Sequence, residues 1–112
     1  MKDIPPAGYY EKFMLLIERR EIYSIEGDSM LPALKDGERV LVDENAVFGI
    51  GDIVIAQHPF KSDVVMAKRI TSIDVNGKYF LVGDNSGESG DSRTFGPVPI
   101  DYIQGKVTSR FE

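Results

Sequence analysis

The chain contains no cysteine, which excludes a thiol nucleophile, a disulfide framework and thiolate metal sites, and leaves its redox compartment open. It has one histidine, His58, followed by Pro59. A single imidazole cannot build the multi-histidine sites preferred by zinc or copper, and no spacing for an all-carboxylate site is found, so no metal or other cofactor is expected. An excess of positive charge is also missing. With 13 Lys+Arg against 18 Asp+Glu the formal charge is -5, so no field spanning the sequence gathers phosphates or anionic lipid, and nucleic acid is not an expected partner. Long apolar runs are absent too. Near the N-terminus the longest, Phe13 to Ile17, falls far short of the ~20 residues needed to cross a bilayer. The weak n-region and the lack of a small-residue cleavage site set it apart from a secretory signal. These absences predict a cytoplasmic chain, membrane-associated only if an anchor lies outside it.

What is present fits one globular domain: 112 residues, 42% hydrophobic and 28% charged. Tyr10, Phe13, Met14 and Ile17 recur at helical spacing and predict a short amphipathic helix over residues 8 to 20. The bland account is a helix packed on the core, but its aromatic face followed by basic residues also suits peripheral contact with a membrane surface or a partner. Short β-type runs follow: Ile22 to Glu26, Arg39 to Asp43, Asp52 to Gln57, Val64 to Ile73, Lys78 to Val82 and Gln104 to Phe111. The fold class is therefore mostly β, built of short antiparallel strands after a short N-terminal helix. Residues 1–21 form an N-terminal segment and residues 22–112 a single domain. Asn76-Gly77 predicts a hairpin with a type I′ turn. Gly83 to Gly96, rich in Gly, Ser, Asp and Asn, reads as a loop of a length more often functional than idle.

Two places break the core pattern in a way chemistry can use. In Gly27-Asp28-Ser29-Met30-Leu31-Pro32, a strand ends in a glycine bend followed by a serine; most such serines are only turn residues. Within Val64 to Ile70, strand alternation puts Val64, Met66, Lys68 and Ile70 on one face and Val65, Ala67 and Arg69 on the other. The bland account of Lys68 is an edge-strand lysine that discourages aggregation or snorkels to water. An ordinary lysine, with a pKa near ~10.4, has only about one molecule in a few thousand uncharged at neutral pH. Bringing that value to about 7 means favouring the neutral form by about 4 to 5 kcal/mol, which burial among apolar groups supplies and a surface does not. Without cysteine, a serine nucleophile needs His58 or a lysine as its base, and the loop setting of Gln57-His58-Pro59-Phe60 ranks His58 below Lys68.

Taken in order, four blocks resemble the type I signal peptidase family of Ser/Lys proteases: Gly27 to Leu34, Gly51-Asp52-Ile53-Val54, Lys68-Arg69, and Gly83-Asp84-Asn85 continuing through Ser89-Gly90-Asp91-Ser92-Arg93 to Gly96-Pro97-Val98-Pro99. The resemblance implies a signal-peptidase-like β-rich fold with Ser29 as nucleophile and Lys68 as general base. It further implies that Ser89 holds the lysine amine and that Asp91 and Arg93 brace the loop. Its oxyanion hole uses the nucleophile's own N–H. Some members add a hydroxyl two residues earlier, where this chain has Gly27. Met30, Leu31 and Phe95 are candidate walls of a peptide groove.

The implied activity is a serine endopeptidase that removes an N-terminal extension from a protein precursor. The run Gln57-His58-Pro59-Phe60, a polar spacer and Lys68-Arg69 resembles the short soluble branch that matures nickel-type superoxide dismutase. A signal peptidase I catalytic domain lacking its membrane anchor is the alternative. A self-cleaving repressor type, with Ala7-Gly8 as its bond, is set back by the Gly83 to Gly96 block and by the lack of a DNA-binding segment. A non-catalytic binding module that keeps only the groove is a further rival.

Overall fold

The computed structural model describes residues 3–88 and 90–111. Helix α1 (Tyr9–Leu16) is followed by strands β1 (Glu21–Ser24), β2 (Arg39–Asp43), β3 (Ile53–Gln57), β4 (Val65–Ile73) and β5 (Tyr79–Val82). A short helix α2 (Ser92–Phe95), a 3-10 turn (Ile100–Tyr102) and β6 (Ile103–Phe111) complete the chain. The strands form one antiparallel sheet in the order β1-β2-β6-β3-β4-β5, so the mostly β expectation holds.

Apolar residues on both sides of the central strands give two core clusters. Ile53, Ile55 and Ala67 join Met30, Leu34, Val40, Val42 and Val107 in one. Val54, Ala56, Met66 and Ile70 join Leu81 and Val98 in the other. Irregular register at Leu41/Val42, Ile55/Ala56 and Ile70/Ser72 marks bulges, each of which bends its strand and increases twist. β4 divides at its bulge: residues 65 to 69 pair with β3, and β5 joins only from Arg69 onward. The stretch of β4 before Arg69 therefore has β3 on one side and, among the described residues, no paired strand on the other.

Two local expectations are corrected. The hairpin at Asn76-Gly77 forms, but not as a type I′ turn, because Gly77 takes a positive φ of 76° while Asn76 does not. Asp74 decides this: its carboxylate accepts from Asn76 and Lys78 N–H, and its carbonyl from Gly77 N–H. A side-chain-capped turn with glycine in the left-handed position replaces the two-residue loop. Helix α1 stops at Leu16, with Glu18 at φ 62° shortly after it. It buries no residue, leaving Tyr10 66% and Phe13 56% exposed. The core-packed account of its face fails. Polar contacts tether it instead: Glu11 accepts from Arg20, Thr108 and Ser109, and Arg20 also pairs with Asp43 at 3.2 Å. No helix among the described residues is long and apolar enough to cross a membrane.

Candidate active site

Strand β4 carries two adjacent cations into the interior. Lys68 is 5% exposed and Arg69 4%, and alternation sends them to opposite faces. Lys68 shares its face with Met66 and Ile70, both buried, in register with Val54 on β3. Its Nζ lies 2.8 Å from Ser29 Oγ in a hydrogen bond. Residues 39 positions apart in sequence thus meet side chain to side chain. Among the described residues no carboxylate forms an ion pair with Lys68. Burial pushes its pKa below the ordinary lysine value; Arg93 adds to this, against the opposing pull of Asp91 and Glu88.

Arg69 has the opposite solution. Its Nε and Nη2 donate to the two oxygens of Asp84 at 2.9 and 2.8 Å, and Nη1 donates to the carbonyl of Gly51 at 2.6 Å. Asp84 is as buried as its partner. This two-point pair fixes the start of the 83–96 segment against β4, one residue from Lys68. The next residue, Asn85, then holds the serine: its N–H donates to Ser29 carbonyl at 2.9 Å and its Nδ2 to Asp28 carbonyl at 3.0 Å. Gly83 lies against the same serine. A Cβ there would stand 2.7 Å from the Ser29 carbonyl oxygen, so only glycine permits the approach.

The far end of the segment is held from within. Asp91, 1% exposed, caps α2 and accepts from Gly83 N–H, from Arg93 N–H and from the Arg93 guanidinium. Burial raises its pKa, but these hydrogen bonds outweigh burial and leave it below the usual aspartate value. Arg93 also donates to Glu88 carbonyl at 2.9 Å, and Ser92 Oγ accepts from Leu81 N–H on β5. The stretch read as a loop more often functional than idle therefore contains a short helix and a built network. Ser89 lies outside the described residues.

The remaining expected residues separate. Gly27 takes φ 80° and donates its N–H to Asp36 at 2.7 Å. Met30 is 1% exposed inside the first core cluster, so as placed it has no face open to a groove. Leu31 is half-buried. Phe95, also half-buried, packs edge-on against His58 with ring centres 4.9 Å apart. His58 is turned away from acid-base work toward this aromatic group, its Nδ1 accepting from Phe60 N–H at 3.1 Å. Burial depresses its pKa, and Lys61 and Lys68 depress it further.

Arg69, Asp84, Asn85 and Gly83 received no individual role from the sequence. One signal pointed to them: a strand buried on both faces that carries two adjacent cations needs a carboxylate for at least one.

Known proteins match this arrangement in sequence. Residues 75–112 match the family described as Signal peptidase, peptidase S26. The chain is 32% identical to mitochondrial inner membrane protease subunit 1 of Schizosaccharomyces pombe, over 80% of this chain and 72% of that protein. It is 30% identical to the Xenopus tropicalis protein of the same name, over 80% of this chain and 68% of the relative. It is 27% identical to signal peptidase IB of Staphylococcus aureus, over 80% and 76% of the two chains. On this identity and coverage, the chain belongs to the signal peptidase family, peptidase S26.

Proposed function

We propose that this serine-type peptidase works through Ser29 and Lys68 and removes an N-terminal extension from a protein precursor. One observation carries the reading: a lysine amine buried without an ion-paired carboxylate among the described residues, 2.8 Å from a serine hydroxyl. Charged, that amine can only donate to Oγ. Neutral, it accepts the hydroxyl proton, and burial favours the neutral form.

Ser29 Oγ attacks the peptide carbonyl carbon as its proton passes to Lys68 Nζ. The tetrahedral intermediate collapses when the ammonium returns that proton to the leaving amine nitrogen and the C–N bond breaks. A water molecule, losing its proton to Lys68, then attacks the ester carbonyl, and the C–Oγ bond breaks as Lys68 returns the proton to Ser29 Oγ. The Ser29 backbone N–H donates to no acceptor among the described residues and is the oxyanion donor; Gly27 adds no side-chain hydroxyl. Leu31 and Phe95 border the peptide groove. Asp91 and Arg93 hold Gly83 and the loop in place; the family resemblance assigns Ser89, which lies outside the described residues, to the amine.

The precursor proposed is that of a nickel-type superoxide dismutase, supported by the Gln57-His58-Pro59-Phe60 run ahead of Lys68-Arg69. A second reading, cleavage of exported precursors, is supported by relatives named signal peptidase IB and inner membrane protease. Self-cleavage at Ala7-Gly8 finds less support, since Ala7 N–H is bound to Arg110 carbonyl at 2.7 Å along β6.

The test is incubation with each precursor, read by intact mass. Trimming of the dismutase precursor alone, lost in Ser29→Ala, is the expected result. Trimming of a secretory precursor alone would shift the substrate to the second reading. Retained cleavage in Ser29→Ala would overturn the dyad.

A further inference from the structure

The oxyanion donor of the proposed mechanism, Ser29 N–H, is half of one peptide unit, and the other half is the Asp28 carbonyl. The unit is planar and trans, so the two groups point in opposite directions. Whatever fixes the carbonyl therefore aims the N–H. Two donors fix it: Leu31 N–H at 3.2 Å, from within the same turn, and Asn85 Nδ2 at 3.0 Å, from the segment after β5. Both acceptor sites of the carbonyl are thereby filled. Beyond the Cα of Ser29, its own carbonyl accepts Asn85 N–H at 2.9 Å. One residue thus holds the serine backbone on both sides.

The Asn85 amide is itself set one way round. Its Oδ1 accepts from Gly87 N–H at 3.2 Å, which leaves Nδ2 toward Asp28. Its carbonyl accepts from Glu88 N–H at 3.0 Å, and the Arg69–Asp84 pair anchors the chain one residue earlier. With glycine at position 27, no side-chain hydroxyl shares the oxyanion there, so the direction of the backbone N–H carries more of the stabilisation. We infer that Asn85 is a positioning residue for the oxyanion hole: by donating to the Asp28 carbonyl it aims and polarises the Ser29 N–H toward the charge that develops on the substrate carbonyl oxygen. Aim matters because a hydrogen bond weakens steeply as it bends. Polarisation matters because chained hydrogen bonds strengthen one another. Both act where the oxygen becomes most negative, in the transition state.

The inference rests on the Ser29/Lys68 reading, and the experiment separates the two. Ser29 is acylated with p-nitrophenyl acetate and with p-nitrophenyl thionoacetate, each followed by release of p-nitrophenolate and by peptide mass. In both, the Oγ–C bond forms as the hydroxyl proton passes to Lys68, and p-nitrophenolate leaves. The first develops its negative charge on oxygen, the second on sulfur, a weak acceptor. Wild type should favour the oxygen ester at least about ten-fold more than hydroxide does. Asn85→Asp keeps the side-chain size and the acceptor for Gly87 but replaces the donor by an oxygen. It should slow the oxygen ester by at least about ten-fold and bring the ratio of the two rates toward that of hydroxide. Asn85→Ala, which removes the donor without adding charge, should move the ratio the same way. A role confined to holding the loop lowers both rates together and leaves their ratio alone. An unchanged ratio in Asn85→Asp or Asn85→Ala, or a wild-type ratio equal to that of hydroxide, would overturn the role of Asn85 and leave the dyad standing. Failure of wild type to be labelled at Ser29 would overturn the dyad, and the Asn85 inference with it.

Discussion

Lys68 and Arg69 are neighbours on one strand, equally withdrawn from water, and they resolve the same problem in opposite ways. A buried charge must be paired or given up. Arg69 cannot lose its proton in a protein, and it receives a two-point carboxylate partner in Asp84 together with the Gly51 carbonyl. Lys68 has no ion-paired carboxylate among the described residues and has Ser29 Oγ as its near contact. On the proposed mechanism, the contrast teaches that this strand uses one cation as a strut and the other as a base. The strut also positions the base's partner, because Asp84 leads to Asn85 and Asn85 holds the Ser29 backbone.

The comparison breaks most visibly if the lysine is removed. Lys68→Met should lower peptidase turnover by about 10³-fold, within the range general bases contribute. Its thermal midpoint should stay level or rise, since an apolar chain of similar size replaces an amine that burial disfavours. Arg69→Met should do the reverse in stability: leaving Asp84 buried and unpaired costs about 3–5 kcal/mol, read by denaturant unfolding. Arg69→Met with Asp84→Leu should recover most of that loss, because no lone charge remains. A third variant sharpens the link between strut and base. Gly83→Ala sets a methyl 2.7 Å from the Ser29 carbonyl and should cost about 1–3 kcal/mol in stability by overpacking. The displaced serine should lower kcat more than it raises KM.

Much of this architecture could be read from residues alone. Alternation along Val64 to Ile70 gave the faces of β4, because a strand buried on both sides still obeys the two-residue period. The strand over Arg39 to Asp43 matched at both ends, and the other runs differed at their ends by a residue or two. What could not be read depends on long-range placement. The exposed aromatic face of α1 has the periodicity of a packed helix, and only the tether through Glu11 reveals how it is held. The Asn76-Gly77 turn was misread because Asp74, two residues upstream, captures the backbone N–H groups. Tyr23 and Val65 are 42 positions apart, and nothing local in either segment announces their bond. The Arg69–Asp84 pair was written in two of the recognised blocks, yet its purpose appears only when Asn85 reaches Ser29.

The protonation state of Lys68 is the quantity on which the proposed mechanism turns. A depressed lysine pKa means that the native state carries the unfavourable charge at low pH and sheds it as pH rises. Activity and the Lys68 contribution to stability should both increase with pH through that transition. The direct measurement is an NMR titration of lysine-labelled protein, with the Lys68 resonance assigned by its loss in Lys68→Met. The account predicts that Lys68 titrates below the ordinary value of 10.5, together with the acid limb of kcat/KM. A Lys68 resonance that titrates at or above that ordinary value would contradict it.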